Sequence, residues 1–246
     1  MKNAIVFFVF ISSYAIFAKD LIVEDQIRLC ESDSSIISKL NLKPIFGFGI
    51  DQKNYKVYYI ETDNRDFQKN KVSLRFRLKE KKVEITVKRR LNAPGEIVES
   101  SDMECEYDLH GGVKEYSCKI NSDIELSDFK QIINNQKPWS DYLTSSEAKL
   151  IESLKNNFNQ AKIFGYLADD RYQRVDSEFG KITVDLVHPS KNPTVSYHEI
   201  SIRYNLSEMI QMNKLFNQYI SSKKLIRCKD QLDWSVDKFS VMDKEN

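Results

Sequence analysis

Residues 72–88 leave this chain few folds to choose from. In Val72–Leu78 the apolar Val72, Leu74, Phe76 and Leu78 alternate with Ser73, Arg75 and Arg77, and the pattern runs on to Lys79. After a short charged turn Val83, Ile85 and Val87 alternate with Glu84, Thr86 and Lys88. A period of two over both runs is the mark of strands with one apolar face, and the turn between them predicts a hairpin. The polar face of that hairpin gathers Arg75, Arg77 and Lys88. Guanidinium forks and a lysine point charge suit phosphate oxygens, but an antiparallel sheet commonly keeps one solvated, charged face. Alternation by itself leaves both readings open.

The same stretch resembles the core of the CYTH family, the triphosphate tunnel metalloenzymes. Tyr59-Ile60-Glu61-Thr62 stands for the family's first run, Phe67 for its leucine, Leu74-Arg75-Phe76-Arg77 for its arginine strand and Thr86-Val87-Lys88 for the strand that ends in lysine. The spacing from Thr62 to Arg75 is that of the family. Glu61 replaces an aspartate, Asp63 a proline and Lys71 a turn glycine. The resemblance implies an α+β fold, an antiparallel β-barrel of the triphosphate-tunnel type with flanking helices. It also implies a basic lumen in which Arg28, Arg75, Arg77, Lys88 and Arg203 face a phosphorylated small molecule or polyphosphate.

Family members open with Glu-x-Glu-x-Lys and carry a second Glu-x-Glu on a late strand. Here the opening strand gives Glu24-x-Gln26-x-Arg28 and the late strand Glu199-x-Ser201-x-Arg203, so each pair lacks its second carboxylate. The family's reaction uses Mg or Mn, and hard cations want several oxygen ligands. Glu24, Glu199 and Asp185 remain as candidate ligands. The same acids have a second reading as ion-pair partners of the arginines. Residues 169–190 predict two more strands around a turn at Glu178–Lys181, with Arg171, Arg174, Lys181 and Asp185 as further lumen candidates. Near the end of the chain, Lys238 and Phe239 resemble a family Lys-Tyr pair.

Residues 1–18 form an almost unbroken apolar run after one lysine, the pattern of a secretory signal peptide, and are shorter than the ~20 apolar residues of a spanning helix. The expectation is one domain over residues 19–246, exported to a periplasm or secreted, with no stable membrane span after removal of the signal. Loss of Lys2 takes 37 basic residues to 36, against 36 acidic ones. Any basic patch is therefore local, and nucleic-acid binding driven by overall charge is not expected.

In an exported chain four cysteines predict two disulfides. A two-residue turn at Gly111-Gly112 pairs His110 with Val113 and, stepping outward, Cys105 with Cys118 at a site where Cα atoms lie ~4.5 Å apart. Cys30, after the first strand, is left to meet Cys228, after the last helix. Residues 145–158 predict a helix with a serine cap and an apolar face of Ala148, Leu150, Ile151, Leu154 and Phe158. Residues 206–220 predict another that packs Met209, Ile210, Met212, Leu215, Phe216 and Tyr219, and a shorter one spans 33–40. The three histidines show no metal-ligand spacing, and no nucleophile with its base, nucleophile elbow or Walker loop is present.

Three functions remain. The barrel binds a triphosphate, polyphosphate or related ligand with catalysis weakened or absent; or it is a divalent-metal-dependent triphosphatase; or it is a structural or protein-interaction module with no small ligand. No catalytic residue, ligand identity or oligomeric state follows from the residues.

Overall fold

The structure, a computed structural model, describes residues 21–42, 50–98, 100–176, 178–189 and 196–228; the signal-peptide segment and Lys238-Phe239 lie outside them. Among the described residues nine strands are β1 Ile22–Leu29, β2 Ile50–Glu61, β3 Val72–Lys79, β4 Lys82–Leu91, β5 Glu104–His110, β6 Val113–Ile124, β7 Lys162–Asp176, β8 Gly180–Pro189 and β9 Tyr197–Asn205. Five α-helices are α1 Asp33–Lys39, α2 Asp66–Lys69, α3 Leu126–Ile133, α4 Ser145–Leu150 and α5 Met209–Ser222. The strands close into a barrel in the order β1-β5-β6-β4-β3-β2-β7-β8-β9.

The expected hairpin is present, with Arg75 opposite Thr86, Arg77 opposite Glu84 and Ser73 opposite Lys88. All the pairings are antiparallel save one: β1 runs parallel to β5. The expected antiparallel barrel with flanking helices is present, with this one parallel pairing in it. The β5–β6 hairpin docks through β6 onto β4, which leaves β5 beside β1 and pointing the same way. Glycines at positive φ, Gly111 at 56° and Gly112 at 82°, make that hairpin's turn and place Cys105 opposite Cys118 as predicted.

Alternation puts the apolar side chains outside the barrel, where helices cover them. On one flank Phe76, Ile85 and Val87 pack with Phe67, Phe129, Trp139 and Leu150 from α2, α3, α4 and the turns beside them. On the other, Val23, Ile27, Ile200 and Ile202 pack with Ile36 and Leu40 of the α1 segment and Phe216 and Ile220 of α5. The barrel interior is thus left to the polar set and one small apolar cluster.

Three local readings change. The helix expected over 145–158 is α-helical only to Leu150 and continues as a 3-10 helix over Glu152–Gln160, and Thr144, not a serine, caps it in a reciprocal box with Glu147. In α5, Ile210 is 85% exposed, while Phe216 and Ile220 carry the contact. Neither α2 nor α3 was foreseen. In α2, the Glu61 carboxylate accepts the backbone N–H groups of Thr62, Phe67 and Gln68 at 2.8–3.0 Å, a side-chain substitute for the helix's missing acceptors.

Both expected disulfides form, Cys105–Cys118 with Cα atoms 4.0 Å apart and Cys30–Cys228 with Cα atoms 5.0 Å apart. Among the described residues no helix is long and apolar enough to cross a membrane.

Candidate functional site

The inward face of the barrel is ionic, because β1, β3, β4, β7, β8 and β9 each turn alternate charged residues into it. Two connected chambers divide the space. The narrow one, about 20 Å³, is enough for a water molecule; Arg75, Arg77 and Arg171 converge on it, backed by an apolar cluster of Val57, Leu167 and Val187 with Tyr59 and Tyr197. The wide one, about 230 Å³, lies beside Lys119, Lys181 and Arg203 with Glu24 and Ser201. Arg171 and Asp185 line both chambers.

In the narrow chamber the cations crowd one another. Arg77 and Arg171 lie over the Tyr55 ring, 5.1 and 5.6 Å from its centroid, on the attractive face of its π system. Burial, then the neighbouring Arg75 and Arg171, bring the Arg77 pKa down to about 10, so it stays charged at neutral pH. Arg77 Nη1 reaches Glu84 at 3.3 Å, but the Nε atoms of Arg75 and Arg77 are buried with no hydrogen-bond partner. Buried donors without an acceptor are uncommon and cost free energy until something accepts from them. Arg171 is the exception: Asp185 grips it with two bonds, Nε to Oδ1 at 2.5 Å and Nη2 to Oδ2 at 2.9 Å, and holds its pKa above the ordinary value against burial.

On the other side, acids from β5 take up the predicted cations. Lys88 Nζ lies 2.8 Å from Asp108 and 3.5 Å from Glu106, and Arg203 lies 3.1 Å from Glu24 and 3.2 Å from Glu106. Lys119 adds a further contact to Glu106 at 3.4 Å. Burial alone would raise the Glu24 carboxyl, but Arg203 and then Lys88 outweigh it and hold the group at about 2. At Lys181, burial and then Lys53, Arg203 and Arg171 depress the pKa, the sign of surplus positive charge at the wide chamber.

The five expected phosphate-facing residues therefore sit in different states. Arg75 and Arg77 keep buried donors, Lys88 and Arg203 are engaged by carboxylates, and Arg28 lies over the Tyr197 ring, 5.1 Å from its centroid. The three expected metal ligands do not make one cage. Glu24 is paired with Arg203 and Asp185 with Arg171, while Glu199, opposite Asp185 in register, accepts from the Tyr197 hydroxyl at 2.5 Å. The carboxylates that do converge are Glu24, Glu106 and Asp108, with ligand atoms within 4.8 Å of one another. Gln26 and Ser201, the two positions where the family motif has its second acids, face each other across β1 and β9.

Arg174 turns out of the lumen and donates to the Leu40 carbonyl at 2.7 Å and to the Tyr219 hydroxyl at 2.7 Å. The acids Glu106, Asp108 and Asp169 and the tyrosines Tyr55 and Tyr197 were missing from the expected set. In Glu104–His110 the alternation of Glu106 and Asp108 with Tyr107 and Leu109 is the signal that places them inward.

Fold and site define a class: closed barrels that are apolar outside and ionic within. The CYTH domain family matches residues 34–202, more than half of the sequence, and the chain belongs to that family. Glu24, Gln26, Arg28 and Arg203 fall outside the matched span. The structure is similar to that of a candidate adenylate cyclase from Bacillus halodurans, at a TM-score of 0.59 and 18% identity over 89% of this chain and 97% of that one. It is also similar to a candidate adenylyl cyclase from Hippeastrum described with a dominant triphosphatase activity, at a TM-score of 0.57 and 13% identity over 92% and 96% of the two chains. At these identities the likeness is one of fold. No curated protein matches the sequence.

Proposed function

We propose that the barrel binds the phosphates of a triphosphate, polyphosphate or related phosphorylated ligand, and that catalysis in it is weakened or absent. The buried, unaccepted Nε donors of Arg75 and Arg77 beside Arg171 carry this reading, since phosphate oxygens are the acceptors such a cluster fits. A phosphate chain fits the wide chamber, between Lys181, Lys119 and Arg203, and meets Arg171 at the junction.

Weakened catalysis rests on the acids. The family's chemistry calls for a divalent cation, and the motif positions here do not fit one: Gln26 and Ser201 are neutral and opposed, and Glu24 and Asp185 are spent on arginines. A working hydrolase is the second reading, favoured by the convergence of Glu24, Glu106 and Asp108. Two disulfides and the apolar leader support a site of action in an oxidising compartment outside the cytoplasm, periplasmic or secreted.

Phosphorus NMR of tripolyphosphate with magnesium and the oxidised protein separates the readings. Shifted or broadened signals without new phosphate species, lost in Arg75→Ala, support the binder. New orthophosphate and pyrophosphate, abolished by Glu24→Ala, make it an enzyme. Unchanged spectra reject phosphate binding for this ligand and leave an interaction module.

A further inference from the structure

A second cluster lies on the outside of the barrel, away from the tunnel. His188 on β8 and His198 on β9 alternate with Val187, Tyr197 and Glu199, which face inward, so both imidazoles project outward beneath the start of α1. There Asp33 receives them: its Oδ2 lies 3.0 Å from His188 Nε2 and its Oδ1 2.7 Å from His198 Nε2. The two rings are 6.0 Å apart at 68°, an edge-on arrangement in which they do not stack on each other. One carboxylate and two imidazole nitrogens thus meet with all ligand atoms within 4.8 Å of one another.

His198 supplies the decisive observation. Its side chain is 3% exposed, and its Nε2 meets the Asp33 carboxylate at 2.7 Å. The ring's other bond is to the backbone of Glu31, which falls to Nδ1 because Nε2 faces Asp33. A ring that donates through Nδ1 to a carbonyl carries its lone pair on Nε2, the arrangement in which a histidine ligates a metal. At this distance the Asp33 oxygen calls for a proton or a metal cation on that nitrogen. Asp170, on the same outward side of β7, lies near enough for its carboxyl to feel the charges of His188 and Asp33. Its ligand atoms are not among those that converge, so water would complete the shell.

We propose that Asp33, His188 and His198 form a structural site for a zinc-class divalent cation, completed by water, that fastens α1 to the outer face of β8 and β9. Two imidazoles and carboxylate oxygens are a borderline donor set, suited to Zn²⁺ in four-coordination and poorly to Mg²⁺ or Ca²⁺, which prefer oxygen alone. The site is independent of the tunnel and of any phosphate ligand. It also explains why two of three histidines without motif spacing meet: their partner comes from a helix some 155 residues earlier in the chain, counting His188 less Asp33.

The test is a zinc titration of the oxidised, chelator-stripped full chain against a competing chromophoric chelator, repeated with cobalt as a spectroscopic probe. One equivalent bound, the visible bands of tetrahedral cobalt, and affinity weakened at least about 100-fold in His198→Gln and His188→Asn are expected. Glu24→Gln, in the tunnel, should leave the zinc affinity unchanged. Zinc affinity equal in wild type and either histidine variant, an octahedral cobalt spectrum, or loss of the equivalent in Glu24→Gln instead would overturn the proposal. The wild-type cobalt spectrum decides even if a histidine variant fails to fold.

Discussion

Asp185 decides how much of the tunnel's positive charge a ligand can use. Its two bonds to Arg171 neutralise the guanidinium that stands between the chambers. Asp185→Asn should therefore raise the affinity for tripolyphosphate severalfold, as measured by calorimetry; a loss of magnesium-dependent phosphate release in the same variant would instead mark Asp185 as part of a working hydrolase. Glu24 makes a pH prediction with a definite sign. Its carboxyl lies at about 2 in the fold against an ordinary value of 4.5, so the folded state favours the ionised form. That stabilisation, about 3 kcal/mol at most, is fully present above pH 4.5 and is lost as pH falls toward 2. Glu24→Gln should cost stability at neutral pH, with the deficit vanishing toward pH 2 in denaturant titrations. Lys71 stands where the family has a turn glycine and takes a φ of 60°. A side chain in that region is strained, so Lys71→Gly should stabilise by about 0.5–1 kcal/mol, read as a shift in urea midpoint at constant slope.

At the scale of elements, period-two alternation made most of the barrel legible, including the faces of β1, β3, β4 and β9. Strand order was not legible, since the alternation of β5 is the same whichever neighbour it joins. Arg171 and Arg174 show the limit for side chains: three positions apart on one strand, they must face oppositely, and only the pairing of Arg171 with Asp185 and of Arg174 with Ile182 settles which is inside. For the compensating acids, the alternation in Glu104–His110 gives the face of Glu106 and Asp108 but not the neighbouring strands whose cations they meet. Helix α2 escaped because its acceptor is a glutamate side chain just before it, which no helix periodicity reports. Reducing Cys105–Cys118, which closes a loop across 13 residues, should cost the β5–β6 hairpin about 3 kcal/mol by loss of chain-entropy constraint. Thermal melting of Cys105→Ser/Cys118→Ser measures it.

For the whole molecule, the second disulfide matters more. Cys30–Cys228 joins positions 198 apart and ties the segment after α5 to the end of β1, beside a backbone bond from Cys30 N–H to the Ile226 carbonyl at 2.9 Å. The same entropy argument gives about 5 kcal/mol, so Cys30→Ser/Cys228→Ser should lower stability more than the hairpin variant does. The placement of apolar side chains outside the barrel has a further consequence. With ions and only a small apolar cluster in the middle, the two large oily nuclei lie on opposite flanks, joined through strands whose inner faces contribute mainly salt bridges and open space. Each flank can melt while the other holds, so amide exchange should sort β3, β4 and α3 into one cooperative unit and β9, α1 and α5 into another, with distinct opening free energies. A single shared opening energy would mean that the ionic seam between them is as cohesive as a hydrophobic core.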